Sequence, residues 1–185
     1  MKLRIIAGSL RGRVIHCPDR RLLFRPTLER TRQAVADMLQ PVISGCAAAD
    51  LCAGSGSFGF EMLSRGAANV DFVENDRQCT GLIRDHAEKF GVGRRCRIVE
   101  QDVAGFVRSR SMTEKPYDIV FFDPPYESEG MASLVPPLRR MLSPDGMLLF
   151  QRRKRLPAPD GGAEESDTPY AIKTFGDTVV ECYRF

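Results

Sequence analysis

Asp123-Pro124-Pro125-Tyr126 sets a carboxylate, two φ-locked prolines and an aromatic ring directly after a continuous apolar run, Ile119-Val120-Phe121-Phe122. A short apolar run ending in turn residues reads as a buried parallel strand, and open α/β sheets bind ligands beyond the carboxyl ends of their strands. The two prolines remove two backbone N–H donors and stiffen the turn, leaving its carbonyls outward as acceptors. A planar base carrying an exocyclic NH2 suits this group. Its amine donates to Asp123 and to the Pro124 carbonyl, while its ring stacks on Tyr126. Taken alone, the tetrapeptide also reads as a rigid turn with a surface tyrosine.

A second group lies upstream, in Ala47-Ala48-Ala49-Asp50-Leu51-Cys52-Ala53-Gly54-Ser55-Gly56-Ser57-Phe58-Gly59. Here a small apolar strand runs into a G-x-G-x-x-G loop. Gly54 and Gly56 permit a tight turn and close approach of the backbone to a ligand, and Gly59 lets the next helix pack closely. That helix is expected over Ser57–Arg65, stopped by Gly66. A second strand, Val70-Asp71-Phe72-Val73, then delivers Glu74, twenty residues beyond Gly54. At that spacing an acid reaches the ribose hydroxyls of a nucleoside. A lone glycine pattern or strand-end acid signifies little. Strand, loop, helix, strand and acid in series point to a nucleoside cofactor.

The acids choose between cofactors. A dinucleotide rests its pyrophosphate on a helix N-terminus. S-adenosylmethionine instead needs an acceptor for its ammonium, which Asp50 supplies, and one for its adenine amine, which Asp102 supplies after a third strand, Arg97-Ile98-Val99. Asp50, Glu74, Asp102 and Asp123 follow four successive strand candidates. Each alone is equally at home as a cap or turn residue. Four carboxylates on one rim suit a cationic sulfonium better than an anionic pyrophosphate.

The D-x-x-A-G-S-G-x-x-G loop, the acid after the second strand and D-P-P-Y resemble those of class I S-adenosylmethionine-dependent methyltransferases acting on amino nitrogens. The amino terminus narrows the likeness: Arg4-Ile5-Ile6-Ala7-Gly8, Arg11-Gly12-Arg13 and Arg25-Pro26-Thr27-Leu28-Glu29-Arg30-Thr31-Arg32 resemble the start of the RsmD family. Those bacterial enzymes methylate the exocyclic N2 of one guanine in 16S ribosomal RNA. The resemblance runs from Arg4 to about Phe150 and resumes near Phe175-Gly176-Asp177-Thr178. It implies S-adenosylmethionine as cofactor, S-adenosylhomocysteine as product and no metal. It also implies that Asp50, Ala53, Gly54, Ser55, Gly56, Gly59, Glu74, Asn75, Asp102 and Val103 hold the cofactor, with Asp123, Pro124, Pro125 and Tyr126 catalytic. The implied partner is 16S rRNA within an assembling 30S subunit, met by a monomer in the cytoplasm. Family members usually carry a glutamate near the end of the fifth strand, where this chain reads Phe150-Gln151-Arg152-Arg153-Lys154-Arg155. The D-P-P-Y element is shared with DNA adenine methyltransferases, which keeps adenine N6 as an alternative target. That alternative lacks a separate recognition domain in 185 residues. A non-catalytic RNA assembly factor would not need the rigid acceptor turn, and a nicotinamide oxidoreductase leaves D-P-P-Y unexplained.

Charge distribution fits an RNA substrate. Residues 1–32 hold nine cations against two acids, +7 in a chain of net +3, which leaves −4 on the remainder. Eight of the nine are arginine, suited to bidentate phosphate contact. Arg4, Arg11, Arg13, Arg25, Arg30 and Arg32 are the candidate RNA contacts. Six cysteines (Cys17, Cys46, Cys52, Cys79, Cys96 and Cys182) form no C-x-x-C pair and read as reduced, mostly buried thiols. With only His16 and His86, far apart in sequence, a metal site is not expected. No apolar run is long enough to span a bilayer, so no membrane partner is expected.

These groups require particular elements to position them. Residues 1–45 are expected to form a basic arm and packing helix, and 46–185 a single catalytic unit. The arm reads as a hairpin about Gly8-Ser9, lying over the cofactor mouth. Its helix is expected from an N-cap at Thr27, with Leu28, Val35, Met38, Leu39 and Val42 on one face. Strands are expected near 47–51, 70–73, 96–99, 118–122, 147–150 and 178–184. Helices are expected near 57–65, 76–90, 102–110 and 129–142, the last kinked or split at Pro136-Pro137. Asp145-Gly146 reads as a turn, and 157–169 as a surface loop. Strand–helix alternation gives a doubly wound α/β sheet. The family likeness makes it Rossmann-like and seven-stranded, mostly parallel, with an antiparallel strand near 178–184 and an N-terminal hairpin-helix extension.

Overall fold

Continuous apolar runs without alternation belong where a sheet is covered on both faces, and the runs at 119–122 and 147–150 lie side by side within it. The computed structural model describes residues 2–17, 26–110, 114–125, 130–154 and 168–185, with backbone alone over 26–30. An amino-terminal hairpin pairs β1 (Lys2–Arg4) with β2 (Val14–His16), and α1 (Pro26–Ile43) follows. Alternation then sets in: β3 (Ala47–Leu51), α2 (Ser57–Ser64), β4 (Asn69–Glu74), α3 (Arg77–Lys89), β5 (Cys96–Glu100), α4 (Val103–Ser109) and β6 (Tyr117–Phe122). The chain ends with α5 (Val135–Arg139), β7 (Leu142–Arg153), β8 (Ala171–Phe175) and β9 (Thr178–Arg184).

The sheet order is β5-β4-β3-β6-β7-β9-β8, parallel through β7 and antiparallel at β9 and β8. This is the expected seven-stranded, mostly parallel, Rossmann-like sheet, with its order reversing at the β3–β6 pair. One face packs on α1, α2, α3 and the hairpin through residues such as Val35, Leu39, Phe58, Ile83 and Ile15. The other packs on α4 and α5 through Val103, Phe106, Val135 and Leu138.

Several boundaries differ from the sequence reading, each for a physical reason. The arm helix begins at Pro26, so Thr27 lies inside it; proline loses nothing at a first turn whose N–H groups are orphans. Its buried side is the row Arg32, Val35, Ala36, Leu39 and Ile43, while Met38 and Val42 are 38% and 47% exposed. The helix is therefore rotated from the expected phase. Residues 129–142 split into a 3-10 turn over Met131–Leu134 and the short α5, with Pro136 and Pro137 in the first turn of α5 rather than at a kink. Asp145-Gly146 lies within β7, where the register against β6 jumps between Tyr117↔Leu142 and Ile119↔Met147. β8 is an edge strand that the apolar runs did not reveal. Arg155 and most of the expected 157–169 loop lie outside the described residues.

The hairpin turn does not cover the mouth of the sheet. The Ile6 and Ala7 N–H groups donate to Glu61 at 2.8 and 3.1 Å, and the Leu10 N–H to Ser64 Oγ at 2.9 Å, so the loop grips the carboxyl half of α2. Gly8 sits at φ +80, and a Cβ there would fall 1.9 Å from the Ser64 carbonyl oxygen, which only glycine tolerates. The two histidines, distant in sequence, meet: the His16 N–H donates to His86 Nε2 at 3.0 Å, and their rings stack with centroids 6.0 Å apart.

Candidate active site at the carboxyl rim of the sheet

The β3–α2 loop is held from the neighbouring strand. The Gly54 N–H donates to one Glu74 oxygen at 2.8 Å and the Asp76 N–H to the other at 2.9 Å. Ala53 N–H donates to the Val73 carbonyl at 3.1 Å, and Gly56 N–H returns to Ala53 O at 2.8 Å. Cys52 enters the loop at φ 59, a left-handed conformation that residues other than glycine rarely adopt and that recurs at functional loops. Gly56 then opens α2 at φ 73. A Cβ on Gly59 would fall 2.3 Å from the Phe72 ring, so glycine is needed for α2 to sit against β4. Asn75 is exposed beside this loop, and Ser55 is buried with Cys17 hydrogen-bonded to it.

Asp50 is the penultimate residue of β3 and is 3% exposed. Its Oδ2 accepts from Gly59 N–H at 2.9 Å, which ties the strand to the first turn of α2. Burial is the main reason its carboxyl is pushed up to about 8; nearby Asp123 and Glu74 add to this, while the Gly59 N–H and Arg32 oppose it. Asp102 caps α4 by accepting from Gly105 N–H at 2.7 Å; it is exposed, and Val103 after it is buried. The rim thus gathers Asp50, the Gly loop, Glu74, Asp102 and Val103, contributed by three adjacent strands and the turns that follow them.

Asp123 stands on the next strand across. Its N–H donates to the Leu51 carbonyl at 3.3 Å, fixing the D-P-P turn to the end of β3. Phe121, two residues before, stacks on Phe58 of α2 with centroids 3.9 Å apart. The Asp123 carboxyl is pushed up to about 7 by burial, against a hydrogen bond from Gln151 that favours its ionised form. Pro124 is buried and Pro125 exposed; Tyr126 lies outside the described residues.

Two carboxyls with raised proton affinity on one rim leave a signature in stability. The folded chain binds more protons than the unfolded chain between about pH 4 and 8, so ionising these groups destabilises the fold as pH rises. Asp50→Asn keeps an acceptor for Gly59 and removes one such ionisation. Its melting temperature is expected to gain on wild type steadily from about pH 5 to about pH 8.5 in the unliganded protein. A pH-independent difference between the two would contradict the placement of Asp50.

The RNA candidates divide. Arg4, Arg11 and Arg13 are exposed on the hairpin and its loop, with Arg4 donating to the Gly12 carbonyl at 3.2 Å. Arg32 is 7% exposed and donates to the Arg4 carbonyl at 3.1 Å. It lies on the core side of α1 and is close enough to Asp50 to stabilise its charge, so it supports the rim rather than reaching outward. Arg25 lies outside the described residues, and of Arg30 the backbone alone is described. Gln151, one of the residues that the sequence motifs did not single out for the site, is buried against Asp123. Among the described residues no group of three or more His, Cys, Asp or Glu could hold a metal ion, and no helix is long and apolar enough to cross a membrane.

Residues 3–184 match the family described as Conserved hypothetical protein 95. The Ribosomal RNA small subunit methyltransferase D of Escherichia coli (strain K12) is 36% identical over 125 residues, covering 68% of this chain and 61% of that protein. This chain belongs to the RsmD family of rRNA methyltransferases. The Haemophilus influenzae protein of the same name is 30% identical over 84% of this chain and 81% of its own length. The solved Escherichia coli structure of yhhF superposes with a TM-score of 0.79 at 27% identity, over 99% of this chain and 97% of that one. The RsmD likeness seen in the amino-terminal arginines and the D-P-P-Y turn is therefore a true family relation.

The donor set of the rim fits S-adenosylmethionine. Crowded carboxylates whose proton affinity burial has raised are a site lacking positive charge, which a sulfonium and an ammonium supply.

Proposed function

We propose that this chain transfers a methyl group from S-adenosylmethionine to the exocyclic N2 of a guanine in 16S rRNA. The observation that carries this reading is Asp123, held by β3 and Gln151 at the end of β6, one strand from the Glu74-closed glycine loop. Bound at this rim, S-adenosylmethionine supplies a methyl group on a positively charged sulfur.

The residues of this chain have distinct parts in that reaction. Asp50 faces the ammonium, the second lone pairs of Glu74 accept from the ribose hydroxyls, and Asp102 accepts from the adenine amine above Val103. The guanine amine is a poor nucleophile because its lone pair is delocalised into the ring. Hydrogen bonds to the Asp123 carboxylate and the Pro124 carbonyl favour a pyramidal nitrogen and stabilise the positive charge that grows there. As the C–S bond breaks and the N–C bond forms, that nitrogen must release one proton, which the Asp123 carboxylate is placed to take. Tyr126 stacks the base once it leaves its loop. Positioning alone supplies about 7–11 kcal/mol in favourable cases, so no stronger base is needed. The exposed Arg4, Arg11 and Arg13 hold the phosphate backbone, and Arg25 and Arg30 remain candidates for the same role.

The polymer is tested by offering labelled S-adenosylmethionine with 30S subunits, naked 16S rRNA or duplex DNA, the ribosomal material taken from cells lacking this activity. Label is expected in the RNA and not in the DNA. Label confined to DNA would replace guanine N2 by adenine N6 as the target, and no label in any of them would leave a binding role.

A further inference from the structure

The pairing Phe122↔Phe150 is the last between β6 and β7, and one step further it brings Asp123 level with Gln151. Side chains alternate along both strands, so Asp123 shares a face with Phe121, and Gln151 with Leu149. Both faces are the one covered by α1 and α2. Gln151 is 3% exposed and donates its amide hydrogen to the Asp123 carboxylate. Arg152 points to the other face, where Glu181 holds its guanidinium at 2.6 and 2.7 Å. The basic run after Phe150 therefore presents an uncharged donor to Asp123, and turns its first cation away.

We propose that Gln151 is a positioning residue for methyl transfer, fixing the Asp123 carboxylate in the orientation and charge state that accept from the amine being methylated. This rests on the proposed function. Among the described residues, Asp50 of β3 and Cys52 in the loop between β3 and α2 lie close enough to Asp123 to feel its charge, and Glu74 at the end of β4 and Arg32 of α1 act in turn on Asp50. Three of these are acids or a thiol, so every neighbour but Arg32 disfavours a second charge at the rim. The amide at position 151 meets this crowding with a donor that carries no charge of its own. It stabilises the carboxylate by one hydrogen bond yet adds no positive charge, so Asp123 keeps its full charge for the amine. A cation there would compete with the substrate for Asp123.

Gln151→Leu and Gln151→Glu test this, read as single-turnover methyl transfer against pH and as carbon-13 NMR titration of the Asp123 carboxyl in the unliganded protein. Transfer needs Asp123 ionised, so the wild-type rate should rise through an acid limb. In Gln151→Leu that limb is expected to move up by about one pH unit, with transfer near neutrality down about tenfold and cofactor affinity within about threefold. Gln151→Glu can donate to Asp123 only while protonated, so it should keep activity at lower pH and acquire an alkaline limb absent from wild type. A merely structural role would lower the rate equally at every pH. Unmoved limbs in both variants would overturn the proposal. Should wild type methylate no guanine, the carboxyl titration still decides: an upward shift in Gln151→Leu supports the role of Gln151 at Asp123, and an unchanged midpoint overturns it.

Discussion

Replacing Asp123 by alanine is expected to reduce methyl transfer at least about 10³-fold while leaving S-adenosylmethionine affinity within a few-fold. In the proposed reaction the carboxylate touches the reacting amine and not the cofactor, so its loss removes both the acceptor that aims the nitrogen and the charge that stabilises it. Aspartate to asparagine is the sharper variant. It preserves volume and one acceptor, but it turns an NH2 toward a neighbour that is itself a donor. That variant is expected to lose at least about 100-fold. Equilibrium binding and single-turnover rates separate the two effects. Cofactor binding abolished together with transfer would move Asp123 from the reacting group to the cofactor site.

Glu74→Ala is expected to act on the cofactor instead. Both carboxylate oxygens accept backbone N–H groups, from Gly54 at 2.8 Å and Asp76 at 2.9 Å, and the residue is 9% exposed. Charge-assisted bonds of this kind contribute about 1.5–3 kcal/mol each, and the freed donors lie partly buried. Stability should fall by about 2–4 kcal/mol because the loop loses its closure, and, with Glu74 in its proposed role as ribose acceptor, cofactor affinity by at least about 100-fold. Glu74→Gln retains an acceptor for one of the two donors and should fall between. The check is thermal unfolding with and without cofactor, beside titration calorimetry. Unchanged melting and affinity within threefold would show that the loop is held by other means.

Glu74 also marks how far the sequence could be read. Its distance from Gly54 is legible because the strand–loop–helix–strand unit has a nearly fixed length. That its oxygens close the loop depends on β3 lying beside β4, a contact between residues twenty apart that periodicity does not encode. The central strands were legible from apolar runs, since burial on both faces leaves no alternation to confuse. β8 was not: Ala171-Ile172-Lys173-Thr174-Phe175 is a short edge strand, largely exposed, with no apolar run to announce it. Arg32 shows a different failure. A cation next to other cations reads as a surface contact, yet α1 turns Val35, Leu39 and Ile43 inward and carries Arg32 in with them. Once the helix phase was set on Met38 and Val42, its burial could not be foreseen. Gln151 was visible only as a departure from a family pattern; its partner emerges from the β6–β7 register.

The central claim concerns which atom receives the methyl group. Mass spectrometry of nucleosides from 16S rRNA, taken from cells lacking this activity and from the same cells supplied with either wild-type protein or Asp123→Ala, tests it most directly. N2-methylguanosine restored by wild type and absent with Asp123→Ala is the predicted result. Restoration by Asp123→Ala, or a methyl group found on any other atom, would contradict the account.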